Sequence, residues 1–309
     1  MTDMLKEMAE CCPVSGREGR LLRYIKSRLE KGEAYIDGMG NLAVTVKGRE
    51  KHEGGSTVFA VGCDIPGFFA TSVSEDGKVY FSPTFPVEDL SELSGRTVVY
   101  SGKEYKILSA AKDAEKTRLT DLYVDAGVPG ASEFRPGTWF SFRSDIKEED
   151  GKITGICCSV LSLVKTVIDA VNSLEPEYDT GFLFSVMKIQ GGRGLASLGY
   201  DFDVGRAVIL RASEIKKDHP TVLVKDCRLI PPSGLVRLLT EAAGKAGVPY
   251  DVSGITGRES DLSNAVLSGR GNSVISVVLP ASGVLTDSES VTESSLRELR
   301  DLILAVSAV

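Results

Sequence analysis

The stretch Ser56-Thr57-Val58-Phe59-Ala60-Val61-Gly62-Cys63-Asp64 decides the fold class. Its apolar part is too short and too rich in β-branched residues for a helix, so it predicts a buried strand. The further predicted elements are strands at 182–186, 207–210 and 273–279 and helices at 158–173, 233–247 and 293–307. Strands that alternate with helices predict a three-layer α/β sandwich, in which a mostly parallel central sheet is covered on both faces. Ser233 is the expected cap of its helix.

The sequence changes character between Phe68 and Lys152. Strand after strand follows there, separated by turn signals such as Glu75-Asp76-Gly77, and no long helix interrupts them. This pattern predicts an all-β domain at 68–152. It is inserted into a discontinuous α/β domain that we expect to comprise 1–67 and 153–309.

Composition limits the class of function. The 309 residues carry a formal net charge of −7, which disfavours nonspecific nucleic-acid binding. The sequence contains no run of about 18 apolar residues, so it predicts no membrane span. The N-terminus is charged, which is not typical of a signal peptide. We therefore expect a cytoplasmic protein without a nucleic-acid or membrane partner, whose six cysteines are reduced thiols.

Short motifs occur in a definite order along the chain. They are Pro13-Val14-Ser15-Gly16 with Glu18, Asp37 with Gly40-Asn41-Leu42, Ala60-Val61-Gly62-Cys63-Asp64, Leu122-Tyr123-Val124-Asp125-Ala126-Gly127, Phe184-Ser185-Val186 and Leu279-Pro280. In order and spacing the chain resembles the tetrahedral glutamyl and deblocking aminopeptidases, over nearly its whole length. The resemblance implies a zinc-exopeptidase-like fold. It also implies a homo-oligomer, either a dimer or a twelve-subunit tetrahedron built with the β domain.

Members of that family bind two zinc or cobalt ions through histidines and carboxylates, and a glutamate acts as general base. The metals polarise the substrate carbonyl and acidify a water, whose proton the glutamate accepts. By resemblance, the first ligand histidine falls on Gly62 and the bridging aspartate on Cys158. The general base falls on Lys188, and the neighbouring ligand glutamate falls on Ile189.

Residues of a different type also occupy two of the remaining family positions. A further ligand aspartate falls near Arg211 and the last histidine near Leu285, whereas Asp64 and Asp261 are retained. The only two histidines, His52 and His219, align with none of the sites. We therefore expect no catalytic residue, no metal ligand set and no cofactor at the family's positions.

Two functions stay open at this point. The first is a catalytically inactive homologue that serves as a binding or accessory subunit. The second is an active hydrolase or aminopeptidase with a relocated or non-standard site. A metallopeptidase whose ligands align differently is a third interpretation, but the histidine count opposes it.

Several cleft residues allow two interpretations. Lys188 and Arg211 can pair with Asp64 or Asp261, bind a small anionic ligand or peptide, or turn to solvent. Asp64 itself is either a functional carboxylate or the cap of a turn. The cysteines, Cys63, Cys157 and Cys158, can form a thiol site or act as small buried apolar residues. We expect a cationic side chain to occupy the space that the metals fill in active relatives, since carboxylates left without metals must be removed or paired.

Overall fold

The computed structural model of the chain describes residues 2–50, 54–227, 229–256 and 262–309. The α-helices are α1 (Thr2–Glu10), α2 (Gly19–Arg28), α3 (Gly127–Ala131), α4 (Cys158–Ser173), α5 (Leu198–Asp201), α6 (Ser233–Ala246), α7 (Ser263–Leu267) and α8 (Glu293–Ser307). The strands are β1 (Glu33–Ile36), β2 (Leu42–Val46), β3 (Ser56–Gly62), β4 (Gly67–Val73), β5 (Lys78–Pro83), β6 (Thr97–Tyr100), β7 (Lys103–Ser109), β8 (Leu122–Asp125), β9 (Trp139–Phe142), β10 (Lys147–Glu149), β11 (Lys152–Thr154), β12 (Thr180–Ser185), β13 (Val204–Glu214), β14 (Thr221–Asp226), β15 (Asp251–Ile255), β16 (Val274–Ala281) and β17 (Ser290–Thr292).

A mixed eight-stranded sheet forms the centre, in the order β1-β2-β12-β3-β13-β16-β14-β15. Its four middle strands, β12, β3, β13 and β16, are parallel to their neighbours within this group. By contrast, β2 runs antiparallel to β12, and β14 runs antiparallel to β16. The sheet is therefore mixed outside its parallel centre, where the sequence predicts a mostly parallel one.

Apolar side chains cover both faces of this sheet. Alternate residues of β3 point to opposite faces, so Phe59 and Val61 join the larger core with α4, α6 and α8. Val58 and Ala60 join a smaller core, where Leu195 and Leu198 pack. Within the described part of the chain, this smaller core is covered by the short helices α5 and α7 and by a 3₁₀ turn at Arg193–Ser197.

Six strands between β3 and α4 close a barrel in the order β4-β5-β8-β7-β6-β9. Phenylalanines fill its interior. The rings of Phe68 and Phe140 stack at 5.3 Å between centroids, and Phe81 meets Phe68 edge-on at 5.0 Å. The strand-rich interpretation of this segment rests on the same β-branched and aromatic residues that line the barrel.

The hairpin β10–β11 lies outside the barrel. It pairs with β17 in a separate three-stranded sheet, with Ile153 opposite Val291. The succession of predicted strands continues to Lys152. The range predicted for the β domain therefore includes this hairpin.

Two local features differ from the sequence interpretation. Pro232, not Ser233, occupies the cap position of α6, and no side chain caps that helix. Strands β14 and β15 were not predicted. Among the described residues, none of the helices combines the length and the apolar character that a membrane crossing requires.

Candidate functional site

The carboxyl ends of the parallel middle strands open on a cavity of about 280 Å³. In open α/β sheets this edge is where ligands bind. Six of the eight positions that align with the family's site residues line the cavity, namely Gly62, Asp64, Lys188, Ile189, Arg211 and Leu285. Cys158 is not among the lining residues, and its neighbour Cys157 is. Asp261 lies outside the described residues.

Asp64 is a buried anchor for the loop that follows β12. Its two carboxylate oxygens accept hydrogen bonds from the backbone amides of Lys188 and Ile189, each at 2.9 Å. Burial raises the pKa of this carboxyl, and the hydrogen bond from the Ile189 amide opposes that rise. The Asp64 oxygens are engaged by the backbone, which agrees with the turn-capping interpretation.

Glu18 extends the same arrangement by one residue. Its Oε1 accepts from the Met187 amide at 2.8 Å and from the Gly16 amide at 2.9 Å. Met187 is held at φ 52°, in the left-handed region that non-glycine residues rarely adopt. Burial raises the pKa of Glu18 too. Three consecutive amides therefore donate to two buried carboxylates, which fixes where the side chains of 188 and 189 emerge.

The side chain of Lys188 packs directly across Gly62. A Cβ atom on Gly62 would lie 2.6 Å from Cβ and 2.7 Å from Cγ of Lys188, closer than real contacts allow. A histidine at 62 is therefore incompatible with this placement of Lys188. A glutamate at 188 would carry the same Cβ and Cγ atoms, so this clash depends on the path of the 188 side chain and not on its charge.

Arg211 forms a buried ion pair with Asp226. Its Nη1 lies 3.2 Å and 3.1 Å from the two Asp226 oxygens, and Ser276 Oγ donates to Oδ2 at 2.6 Å. Asp226 is only 1% exposed. The sequence interpretation names Asp64 or Asp261 as partner for Arg211; the observed partner is Asp226. The Nε of Arg211 is buried and has no hydrogen-bond partner among the described residues.

Glu289 is a second buried carboxylate on the cavity wall that sequence reasoning missed. It accepts from the amides of Cys157, Ser159 and Leu285 at 2.9–3.0 Å and from Ser159 Oγ at 2.6 Å. Cys157 and Leu285 both have left-handed backbone conformations, at φ 64° and 68°. Glu289 thereby fixes the first turn of α4 and the loop after β16, and its charge is favourable at a helix N-terminus. In the sequence, Glu289 is one of two acids, with Asp287, in a loop rich in Ser and Thr, and nothing there distinguishes it.

The cysteines near the cleft do not form a reactive site. Cys158 Sγ contacts the carbonyl oxygens of Ile153 and Glu289, at 3.5 and 3.4 Å. Burial raises the pKa of Cys63, Cys157 and Cys158, that of Cys158 to about 12. Cys63, Cys157 and Cys158 are free thiols. Near neutral pH these three remain protonated, and a protonated thiol is a poor nucleophile and metal ligand.

Among the described residues, the side chains around the cavity offer few free donors for a metal ion. Gly62, Ile189 and Leu285 have no side-chain donor, and the oxygens of Asp64 and Glu289 already accept backbone hydrogen bonds. Within residues 2–50, 54–227, 229–256 and 262–309, no group of three or more His, Cys, Asp or Glu side chains is placed to hold an ion. His219, the one described histidine, bonds Glu298 instead.

Known proteins share this architecture. The TET1 peptidase of Pyrococcus horikoshii superposes with a TM-score of 0.81 at 22% identity, over 99% of this chain and 98% of that one. An aminopeptidase of Desulfurococcus kamchatkensis gives 0.85 at 20% identity, over 99% and 93%. These two identities show the fold alone.

Sequence comparison supplies the family. An Acetivibrio thermocellus protein named "Putative aminopeptidase" is 22% identical over 325 residues, covering 98% of this chain and 97% of that protein. The model of the M42 glutamyl aminopeptidase family matches residues 40–302. This match spans most of the chain, so the chain belongs to the M42 glutamyl aminopeptidase family.

Proposed function

We propose that this chain is a non-catalytic member of its family that acts as a binding or accessory subunit. The observation that carries the proposal is the packing of Lys188 on Gly62. The position that we assign to the family's general base carries an amine in place of a carboxylate, and the position that we assign to the first ligand has no side chain. In its present placement the Lys188 side chain occupies the space that a histidine at 62 would need.

The surrounding electrostatics support the same role. Hydrolysis by the family's mechanism needs a free carboxylate to accept a proton from the attacking water. The two described acids on the cavity wall, Asp64 and Glu289, accept several backbone hydrogen bonds each. The basic side chains of Lys188 and Arg211 lie in the same cavity, and a cation repels a divalent metal. The cavity therefore suits retention of a ligand better than activation of water.

We also propose that the chain is a homo-oligomer assembled through its barrel, and at least a dimer. One solved relative is described as a dodecamer of PhTET1, and the P. horikoshii TET1 peptidase is described as assembling into a tetrahedron or a large octahedral shell. Light scattering at micromolar concentration tests this part of the proposal. A monomer would contradict it.

Metal content and activity, measured on one preparation, test the main proposal. The protein is purified without chelators, its zinc, cobalt and manganese are measured by elemental analysis, and hydrolysis of a panel of aminoacyl p-nitroanilides is followed with each metal added. The D. kamchatkensis aminopeptidase, treated identically, is the positive control. We expect no stoichiometric metal and no hydrolysis above background. One or more ions per chain, lost in Asp64→Ala, together with turnover, would establish the alternative of an active enzyme with a non-standard site.

A further inference from the structure

We infer that the cavity at the carboxyl ends of β3, β12 and β13 binds a carboxylate that bears a small apolar group, with the carboxylate held by Lys188 and Arg211. The inference rests on the proposed non-catalytic role and adds the chemical class of the ligand. It follows from the two cations, the state of the neighbouring acids and the apolar walls.

The two cations share one space. Lys188 and Arg211 line the main cavity, and both also line a small recess of about 10 Å³ beside Gly62. The Nη1 of Arg211 is occupied by Asp226, but its buried Nε has no partner among the described residues. The Arg211 guanidinium therefore keeps donor capacity that Asp226 does not use. Arg211 is only 17% exposed at its side chain, so the ligand must enter the cavity to reach it.

Lys188 supplies the second charge. It forms no ion pair with any described carboxylate, although its charge opposes the rise in the pKa of Asp64 that burial causes. The oxygens of Asp64 are bound by two backbone amides, and those of Glu289 by three amides and a hydroxyl. The neighbouring acids therefore leave the Lys188 ammonium available for an added anion.

The apolar residues that line the cavity indicate the chemistry of the ligand beyond its carboxylate. Phe85, Pro86, Val160, Leu163 and Val284 line the cavity together with Leu285. Phosphate is more strongly hydrated than a carboxylate, so it would lose more hydration free energy against these apolar groups. A volume of about 280 Å³ is at the small end of ligand sites, which favours a ligand about the size of one amino acid. Both a free acid and the terminal carboxylate of a peptide have this chemistry.

Calorimetric titration and thermal shift with matched probes test the inference. The probes are 4-methylpentanoate, its neutral amide 4-methylpentanamide, acetate, inorganic phosphate and N-acetyl-Ala-Ala-Leu with a free carboxylate. We expect the acid to bind at least about tenfold more tightly than the amide, because the amide cannot form charge-assisted hydrogen bonds. Acetate and phosphate should bind more weakly than 4-methylpentanoate. Tighter binding of the peptide than of the acid identifies a chain end as the source, and the reverse order identifies a free acid. Equal binding of acid and amide overturns the inference, and so does the absence of binding by both the acid and the peptide.

Variants locate the site. Lys188→Met should weaken acid binding by about tenfold or more, and Lys188→Arg should retain it. Because Arg211→Met alone strands a buried aspartate, the double variant Arg211→Met/Asp226→Asn is used, and it too should weaken binding. The control is Lys112→Met, an exposed lysine on the barrel. If the acid binds these variants as it binds the control, the site lies elsewhere and the inference is wrong.

The two proposals fail separately. Stoichiometric metal with aminopeptidase turnover refutes the non-catalytic role, whatever the probes do. A metal-free, inactive protein that binds neither the acid nor the peptide refutes only the ligand assignment.

Discussion

Asp64 binds the backbone of Lys188: its Oδ1 accepts the Lys188 amide at 2.9 Å, while the lysine side chain extends over Gly62. Asp64 therefore holds the loop that carries Lys188, the residue that we propose stands in the place of the family's general base.

Loss of the Asp64 acceptor should destabilise the fold. In Asp64→Asn, one amide of the loop faces an NH₂ group in place of an oxygen, so the free energy of unfolding should fall by about 2–4 kcal/mol. Urea denaturation at fixed protein concentration measures this. Glu75→Gln, at an exposed turn, is the control and should be neutral. A change below about 0.5 kcal/mol for Asp64→Asn would contradict the anchoring role.

The Arg211–Asp226 pair should show strong coupling. Arg211→Met leaves a carboxylate that is 1% exposed without its cation, and should cost about 3–5 kcal/mol. Adding Asp226→Asn removes the stranded charge and should recover much of that loss. A double-mutant cycle from the four unfolding free energies measures the coupling. Additive effects would show that the two groups do not interact as the distances indicate.

His219 should act as a pH-dependent stabiliser. Its hydrogen bond to Glu298 raises its pKa above 6.5 in the folded state. The stabilisation is complete below the unfolded pKa and is lost as pH rises through the folded pKa. Glu298→Gln should therefore lower the melting temperature at pH 5.5 and leave it nearly unchanged at pH 9. Proton NMR titration should show the His219 pKa falling in the variant. An unchanged His219 pKa would disprove the link.

The buried thiols should resist alkylation. With a pKa of about 12 against the ordinary 9.0, Cys158 carries roughly a thousandfold less thiolate than an exposed cysteine near neutral pH. Iodoacetamide labelling at pH 8, mapped by mass spectrometry, should leave Cys63, Cys157 and Cys158 unmodified in the folded protein. All six cysteines should react in urea. Labelling of Cys157 in the folded protein at the unfolded rate would reopen its role as a nucleophile.

The elements best predicted from the sequence are those whose apolar pattern is locally complete. Helix α4 begins and ends within its predicted 158–173 range, because its core face repeats at helical spacing over the whole segment. Strand β15 was missed, since its residues are only partly buried and alternate weakly. The antiparallel direction of β14 could not be inferred, because strand direction depends on how distant segments meet.

The cleft could be predicted only where a family motif marks it. Gly62, Lys188 and Arg211 meet at one sheet edge because parallel strands end together: Gly62 ends β3, Lys188 follows β12 and Arg211 lies in β13. Asp226 and Glu289 do not belong to any of the family motifs. Each acts through backbone or side-chain groups far away in sequence, and a single acidic residue on a strand end or in a loop does not reveal its partners.

The first and last strands of the barrel, β4 and β9, lie side by side, with Gly67 opposite Ser141. Paired strands are about 5 Å apart, so a long excursion of the chain leaves and returns at nearly the same point. For the central eight-stranded sheet, the barrel segment therefore acts like a short loop between β3 and the chain that follows the barrel. Loops of the barrel can thus lengthen, shorten or change sequence over evolution without shifting the register of β3 against its neighbours, and the two parts of the molecule can diverge at different rates.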